Sequence, residues 1–273
     1  MGTADSKTAA AFRLIVLDYY QEHGRHDLPW RIPNGGFDPY KIMVSELMLQ
    51  QTQVSRVIPK YQAFLQTFPT IESLAAASLR EVLTAWSGLG YNRRAQYLQR
   101  AAQGIVHDFG GQFPRQLQQL TKLPGIGSNT AGAILAYAFN EPSVFIETNI
   151  RTIYIHHFFT DDTQVSDRAI LDLVHSTLDK TNPRLWYWAL MDYGTFLKQS
   201  VGTSARRSTS YARQTPFIGS QRQIRGQVIK LLSVQSLSRR QLTANISDVR
   251  LPSVLEALLA EKMITESPDG YCL

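Results

Sequence analysis

The 273-residue chain has a single cysteine, Cys272, next to its last residue. No disulfide can form within it, which suits a reducing, cytoplasmic setting. No apolar run approaches the roughly 20 residues that a membrane-crossing helix needs. The opening MGTADSKTAAAF lacks the pattern of a signal peptide, so neither membrane nor export is expected. Strand signals are scarce until the last dozen residues. Metal-ligand spacing is missing too: the adjacent His156 and His157 would face apart on a helix, and no Cys or carboxylate cluster supports them, so no metal is expected. Acidic residues are outnumbered, 22 against 28 Lys and Arg, leaving a net charge of +6. A basic excess fits a polyanionic partner, although many proteins of this charge bind none.

What is present is helical. Hydrophobic content of 44% is ordinary for a globular protein. Apolar residues at helical spacing predict helices over Phe12 to Gln21, Val54 to Phe68, Thr70 to Ala76, Leu79 to Trp86, Arg93 to Phe109, Asn149 to Phe158, Ser166 to Asp179 and Leu185 to Leu197. Asp38-Pro39 reads as an N-cap followed by a first-turn proline, opening a helix that ends near Thr52. Phe113-Pro114 is expected to open another. Lys198 to Gly219 changes to Ser, Thr, Arg and Gln and reads as a basic linker. Beyond it, helices over Ser220 to Val234, Ser238 to Ala244 and Leu251 to Glu261 precede a strand, turn and strand, a pattern that suggests a winged helix. The expected fold class is all-α.

The organising stretch is Leu123-Pro124-Gly125-Ile126-Gly127. Proline and two glycines cannot sit inside a helix and permit a tight left-handed turn. Ser128-Asn129-Thr130 supplies N-cap candidates, and Ala131 to Phe139 follows as a small-residue helix. A glycine turn feeding a helix start points backbone N–H groups outward at the positive end of the dipole, as at a phosphate site. A plain αα turn would look the same. Glu46 interrupts an otherwise apolar helix. By spacing alone it either points to solvent or joins Lys41 and Gln53 in a polar stripe.

Four motifs, in order, resemble the helix-hairpin-helix (HhH-GPD) DNA glycosylase superfamily, in its MutY-like branch of A/G-specific adenine glycosylases. They are Leu28-Pro29-Trp30-Arg31 with Asp38-Pro39-Tyr40, Val44 to Val54, Trp86-Ser87-Gly88-Leu89-Gly90-Tyr91, and the LPGIG hairpin with its AGAIL helix. The similarity runs from about Leu28 to Phe196. It implies a two-lobed helical fold around a cleft. Residues 1–37 would supply a helix of the second lobe, 38–148 a six-helix barrel with the hairpin, and 149–197 the rest of the second lobe. Residues 198–219 would be a basic linker and 220–273 the winged-helix-like module.

The implied function is a monofunctional DNA N-glycosylase of base excision repair. It would flip a base from double-stranded DNA and leave an abasic site, with adenine opposite 8-oxoguanine or guanine as the leading substrate. The same scaffold would suit another base (mismatched thymine or uracil, cytosine, an alkylated base), or a lesion-binding protein that has lost catalysis. By this resemblance Glu46 is the acid that protonates the leaving base, and Glu147 stabilises developing charge on the sugar. Trp30, Arg31 and Asn129 fall at the base pocket. Leu49, Gln51, Leu89 and Tyr91 fall where the family opens the duplex and stacks beside the orphaned base. Gly125, Gly127 and Ser128 would meet phosphate, and the hairpin carbonyls would have room for a monovalent cation. No other cofactor is implied. A monomer in the cytoplasm, associated with the nucleoid, is expected.

The chain departs from that pattern at four places. Glu147 stands for the family's aspartate, one methylene longer. Asn129 stands where bifunctional relatives carry an imine-forming lysine, and an amide cannot form that imine. Lys198 stands where the first cysteine of an iron–sulfur cluster is expected, and no such cluster can form. Finally, the residues after Gly219 are too few for the Nudix-type domain of the branch. Arg206, Arg207 and Arg213 are candidate phosphate contacts in place of the cluster loop, and Arg222, Arg225, Lys230, Arg239 and Arg240 are candidates in the tail.

Overall fold

The computed structural model describes residues 5–33, 35–212 and 215–273. Helices dominate them: α1 (Ser6–His23), α2 (Pro39–Leu49), α3 (Val54–Thr67), α4 (Ile71–Ala76), α5 (Leu79–Ala85), α6 (Arg93–Phe109), α7 (Leu117–Leu120), α8 (Ser128–Phe139), α9 (Thr148–Phe158), α10 (Asp167–Thr177), α11 (Pro183–Ser200), α12 (Gln221–Val234), α13 (Arg239–Asn245) and α14 (Leu251–Ala260). Two 3-10 turns (Pro29–Arg31, Ser204–Arg207) and two short strands, β1 (Thr265–Ser267) and β2 (Gly270–Cys272), complete the chain. Helix starts follow local chemistry. Asp5 caps α1 by accepting from the Lys7 and Thr8 amides at 2.9 Å each, which starts that helix six residues before the expected Phe12. Asp38 accepts from Tyr40 N at 2.9 Å ahead of Pro39, and α4, α5 and α13 each begin with a reciprocal capping box.

The chain divides into two compact units. The first comprises Met1–Met43, Arg115–Lys122 and Ile126–Arg213; the second comprises Val44–Pro114, Leu123–Gly125 and Gln214–Leu273. Helix α2 therefore begins in one unit and ends in the other. In the first unit α11 packs on α1, α8 and α9. Its core is aromatic: Trp186, Tyr154, Tyr187 and Phe145 are fully buried, and the Phe12 ring lies 5.2 Å from Tyr154 and 5.9 Å from Trp186. Close approach needs glycine at Gly194, where a Cβ would stand 2.7 Å from the Asn149 carbonyl oxygen.

In the second unit α6 packs on α4 and α5, and α5 on α3 and α12. Phe64, Trp86, Leu83 and Leu98 fill its centre. The C-terminal segment has winged-helix order. The antiparallel β1–β2 hairpin pairs Thr265 with Cys272 and Ser267 with Gly270. Leu237, between α12 and α13, adds a bridge to Tyr271, with N–H···O distances of 3.0 and 2.9 Å. This segment is tied to the rest of its unit by side chains that answer helix-end carbonyls. Arg80 donates to Ser233 O and Val234 O, and Gln96 Nε2 donates to Glu261 O at 3.0 Å and Lys262 O at 3.2 Å.

Two expected elements differ. Phe113-Pro114 opens no helix, because Phe113 has no side-chain oxygen to cap a first turn as Asp38 does before Pro39; only Leu117–Leu120 turns helical, after an extended Gln116. The linker is also shorter than expected. Helix α11 continues to Ser200, and the turn Ser204–Arg207 follows three residues later.

Candidate functional site

Glu46 lies in the last turn of α2, half-buried between buried Ser45 and Leu47. The four terminal carbonyls of any helix lack partners within it. Here the guanidinium of Arg94, from α6, answers two of them. Nη1 donates to Leu47 O at 2.6 Å and to Met48 O at 3.0 Å, and also to Gln50 O. Nη2 donates to Thr52 Oγ1 at 3.0 Å, Gly90 O at 3.3 Å and Leu89 O at 3.5 Å. A cation at the negative end of the helix dipole is favourable. Burial pulls the Arg94 pKa down to about 10, so the group stays charged at neutral pH. One buried side chain thereby joins the end of α2 to the Gly88–Tyr91 loop. Gln51 and Tyr91 both take left-handed backbone there, at φ 55° and 48°, a conformation uncommon outside glycine. Gln51 is exposed, while Leu49 and Tyr91 are half-buried.

The hairpin glycines divide their roles. Gly125 is left-handed at φ +75°, and a Cβ on it would stand 2.5 Å from Tyr97 Cβ, so only glycine fits. Gly127 is extended at φ −80° and is itself the N-cap of α8, with no side-chain cap bond. No described atom lies within 4 Å of its missing Cβ. The Ser128-Asn129-Thr130 triplet is thus the first turn of the helix rather than its cap.

Asn129 braces the next functional segment. Its Nδ2 donates to Ile146 O at 2.7 Å, and its Oδ1 accepts from Ile146 N at 3.4 Å. The following residue, Glu147, is the extended N-cap of α9 and is half-buried. Burial pushes its carboxyl above the ordinary range, and the positive charge of Arg151 offsets that only in part. Two residues on, Asn149 donates to Met191 O at 2.9 Å and Thr195 Oγ1 at 3.1 Å, and accepts from Lys198 Nζ at 3.2 Å. Burial lowers the Lys198 pKa.

Comparison with known proteins gives this arrangement a family. Residues 44–174 match the HhH-GPD superfamily base excision DNA repair protein family. An adenine DNA glycosylase of Mycolicibacterium smegmatis is 34% identical over 282 aligned residues, covering 93% of each chain. The chain belongs to the adenine DNA glycosylase family. The relative from Mycobacterium tuberculosis is 31% identical over 93% of this chain and 90% of its own length. One from Buchnera aphidicola (subsp. Baizongia pistaciae) is 37% identical over 70% of this chain, which spans 54% of that relative. Among solved structures, a thermostable thymine-DNA glycosylase superposes with a TM-score of 0.60 at 23% identity over 69% of this chain and 86% of its own. A trapped endonuclease III–DNA intermediate superposes at 0.58 and 17% identity, over 71% and 88%. At these identities the superpositions establish the fold.

Within this adenine DNA glycosylase framework, several residues assigned from motifs have partners inside the protein. Arg31 is buried in an ion pair with Asp192: Nη1 to Oδ2 is 2.8 Å and Nη2 to Oδ1 is 3.0 Å. Arg25 adds its backbone N–H at 2.7 Å and Nε at 2.8 Å. Burial works against the Asp192 carboxylate, yet these two arginines hold it below the usual carboxylate range. A guanidinium so engaged is a fixture of the first unit, and Trp30 beside it is buried as well. Leu89 is 3% exposed and packs in the core of the second unit.

Arg207 turns inward. It donates to Phe159 O at 2.6 Å, Asp162 O at 3.0 Å, Thr160 O at 3.1 Å and Ile155 O at 3.2 Å, which removes it from the phosphate candidates. Arg206 is exposed, and Arg213 lies outside the described residues. Arg225 pairs with Glu261 at 3.1 Å through Nη1. His157 meets the Tyr193 hydroxyl at 3.0 Å, and burial lowers its pKa to about 4.

Arg94 and Asn149 escaped sequence reasoning. For Asn149 the signal was its place two residues after Glu147 in Glu147-Thr148-Asn149. For Arg94 it was the arginine pair directly after the Gly-Leu-Gly-Tyr loop, where nothing marks which member is buried.

Proposed function

We propose that the protein is a monofunctional DNA N-glycosylase that excises adenine from duplex DNA, with 8-oxoguanine or guanine as the opposite base. The observation that carries this reading is the match, over 93% of both chains, to a relative named for adenine excision. Chemistry at the named residues supports it. Cleaving an N-glycosidic bond is easier when the leaving base is protonated, and Glu46, half-buried at the end of an apolar helix, is the general acid. The Glu147 carboxylate stabilises the cationic sugar. Asn129 offers no amine, so water completes the reaction and an abasic site remains. Gly127 leaves its surroundings open for a phosphate to approach the first turn of α8.

The test is a panel of duplexes, each carrying adenine, thymine, uracil, cytosine or an alkylated base opposite each natural base and 8-oxoguanine. Strand scission by alkali then reveals abasic sites. Adenine release should dominate. Release of a different base would reassign the substrate, and tight binding without release from every duplex would mark a lesion-binding protein instead. Borohydride should trap no protein–DNA adduct, and a trapped band would contradict the monofunctional assignment.

A further inference from the structure

The turn that precedes α12 is braced and has an unusual surface. Phe217 is 57% exposed and Ile218 is 85% exposed. Single exposed apolar side chains are common, but these two are adjacent and their backbone is fixed on several sides. Ser220 Oγ donates to Phe217 O at 2.7 Å. Gly219 N donates to Gln223 Oε1 at 2.7 Å, and Arg250 Nη1 donates to Gly219 O at 2.9 Å.

Arg222 then links the turn to Tyr91. Its Nη2 donates to Thr215 O at 2.6 Å, and its Nη1 donates to the Tyr91 hydroxyl. The Arg222 guanidinium lies 5.2 Å from the Tyr91 ring centroid and Arg94 lies 5.3 Å from the same ring. Two side chains from different parts of the chain therefore fix one ring. The turn, Tyr91 and the exposed Gln51 share one unit, with Arg94 against the Tyr91 ring and on the Gln50 carbonyl.

Apolar side chains on a braced backbone, with guanidinium groups nearby, suit nucleic acid better than a protein surface. Bases offer flat apolar faces and phosphates offer charge. We propose that the Phe217-Ile218 turn, locked to Tyr91 by Arg222, is a second stacking element that reads the base left behind in the duplex when its partner is extruded. This rests on duplex DNA being the substrate. The stacking residues are Phe217 and Ile218. Arg222 is a positioning residue that acts through Tyr91 and the turn.

Two measurements test it. The first is single-turnover adenine release opposite 8-oxoguanine and opposite guanine, for wild type, F217S/I218S, R222M and R222K, with thermal melting of each protein alongside. The exposed pair should leave the melting temperature unchanged while the preference between the two opposite bases shrinks about tenfold, the scale of one lost stacking contact. R222M should shrink it similarly, and R222K should restore part of it. An unchanged preference in F217S/I218S overturns the proposal.

The second is the fluorescence of F217W on adding a duplex with non-cleavable 2′-fluoro-deoxyadenosine opposite 8-oxoguanine. Stacking should quench it and shield it from iodide. An unresponsive tryptophan overturns the proposal and leaves the turn as a protein-docking surface. If wild type releases no adenine from any duplex, the proposed function fails, whereas the tryptophan response still decides whether the turn meets DNA.

Discussion

The Arg94 guanidinium stands 2.6 Å from the Leu47 carbonyl, one residue beyond Glu46, and reaches the carbonyls of Leu89 and Gly90 from the same carbon. A helix end and a loop 40 residues apart in the chain thus share a single buried cation. Replacing Arg94 by methionine removes the charge and leaves several helix-end carbonyls without donors. A buried acceptor left without its donor costs about 1–3 kcal/mol, and thermal or urea unfolding should show a loss of at least that order. Lysine keeps the charge but not the planar fork, so R94K should recover part of the stability. Adenine release should fall further than stability alone explains, because Glu46 sits in the turn that Arg94 holds. Equal stability of R94M and wild type would contradict this account.

Glu46→Gln keeps the size and polarity of the side chain but cannot give up a proton at the same cost. Excision should fall by at least 10²-fold, the lower end of what general acid catalysis contributes. Affinity for an 8-oxoguanine·adenine duplex, measured by fluorescence anisotropy, should stay within a few-fold of wild type. A near-normal rate would remove Glu46 from its proposed role.

Sequence patterns reached some of this protein and not the rest, and the difference is physical. Helix α6 runs from Arg93 to Phe109 as its periodicity predicts, because one apolar face and the Gly110 cap define both ends. Helix α7 does not follow, since a proline beside an apolar run marks a turn as readily as a helix start. Glu46 stood out only through its motif; its neighbours alone would equally suit a solvated glutamate. Arg31 sat in a motif too, but its partner Asp192 is 161 residues away, and no local signal announces a pairing at that distance. Arg94 was missed for the same reason, as it acts on groups that adjoin it only after folding.

Glu147 links stability to pH with a sign opposite to that of most surface carboxylates. Its folded pKa lies above the ordinary value because burial disfavours the anion. Between about pH 4.3, where an unfolded glutamate titrates, and the raised folded value, the folded state holds more proton than the unfolded one. Stability from this group is therefore complete below that window and is lost as pH rises through it. Glu147→Gln, neutral throughout, should melt at a higher temperature than wild type at neutral pH, and the gap should close toward pH 4. The same variant should lose excision, since an amide cannot balance a cationic sugar. A lower melting temperature at neutral pH would show that the carboxylate is stabilised rather than penalised.

The segment after α11 is held by an anchor of its own. Arg207 supplies it by donating to four carbonyls between Ile155 and Asp162, while Val165 N donates to Arg207 O at 2.8 Å and Thr209 N to Val165 O at 3.0 Å. The carbonyls of Ile155 and the next three residues close α9, the helix that begins beside Glu147, so the anchor acts on the far end of a functional element. Truncation to alanine should cost about 1–3 kcal/mol, the range for hydrogen bonds to a charged donor, measured by urea unfolding. R206A, which alters only an exposed neighbour, is the control and should change stability by less than about 0.5 kcal/mol. If R207A loses DNA affinity with unchanged stability, the side chain is a phosphate contact after all and the anchoring role falls.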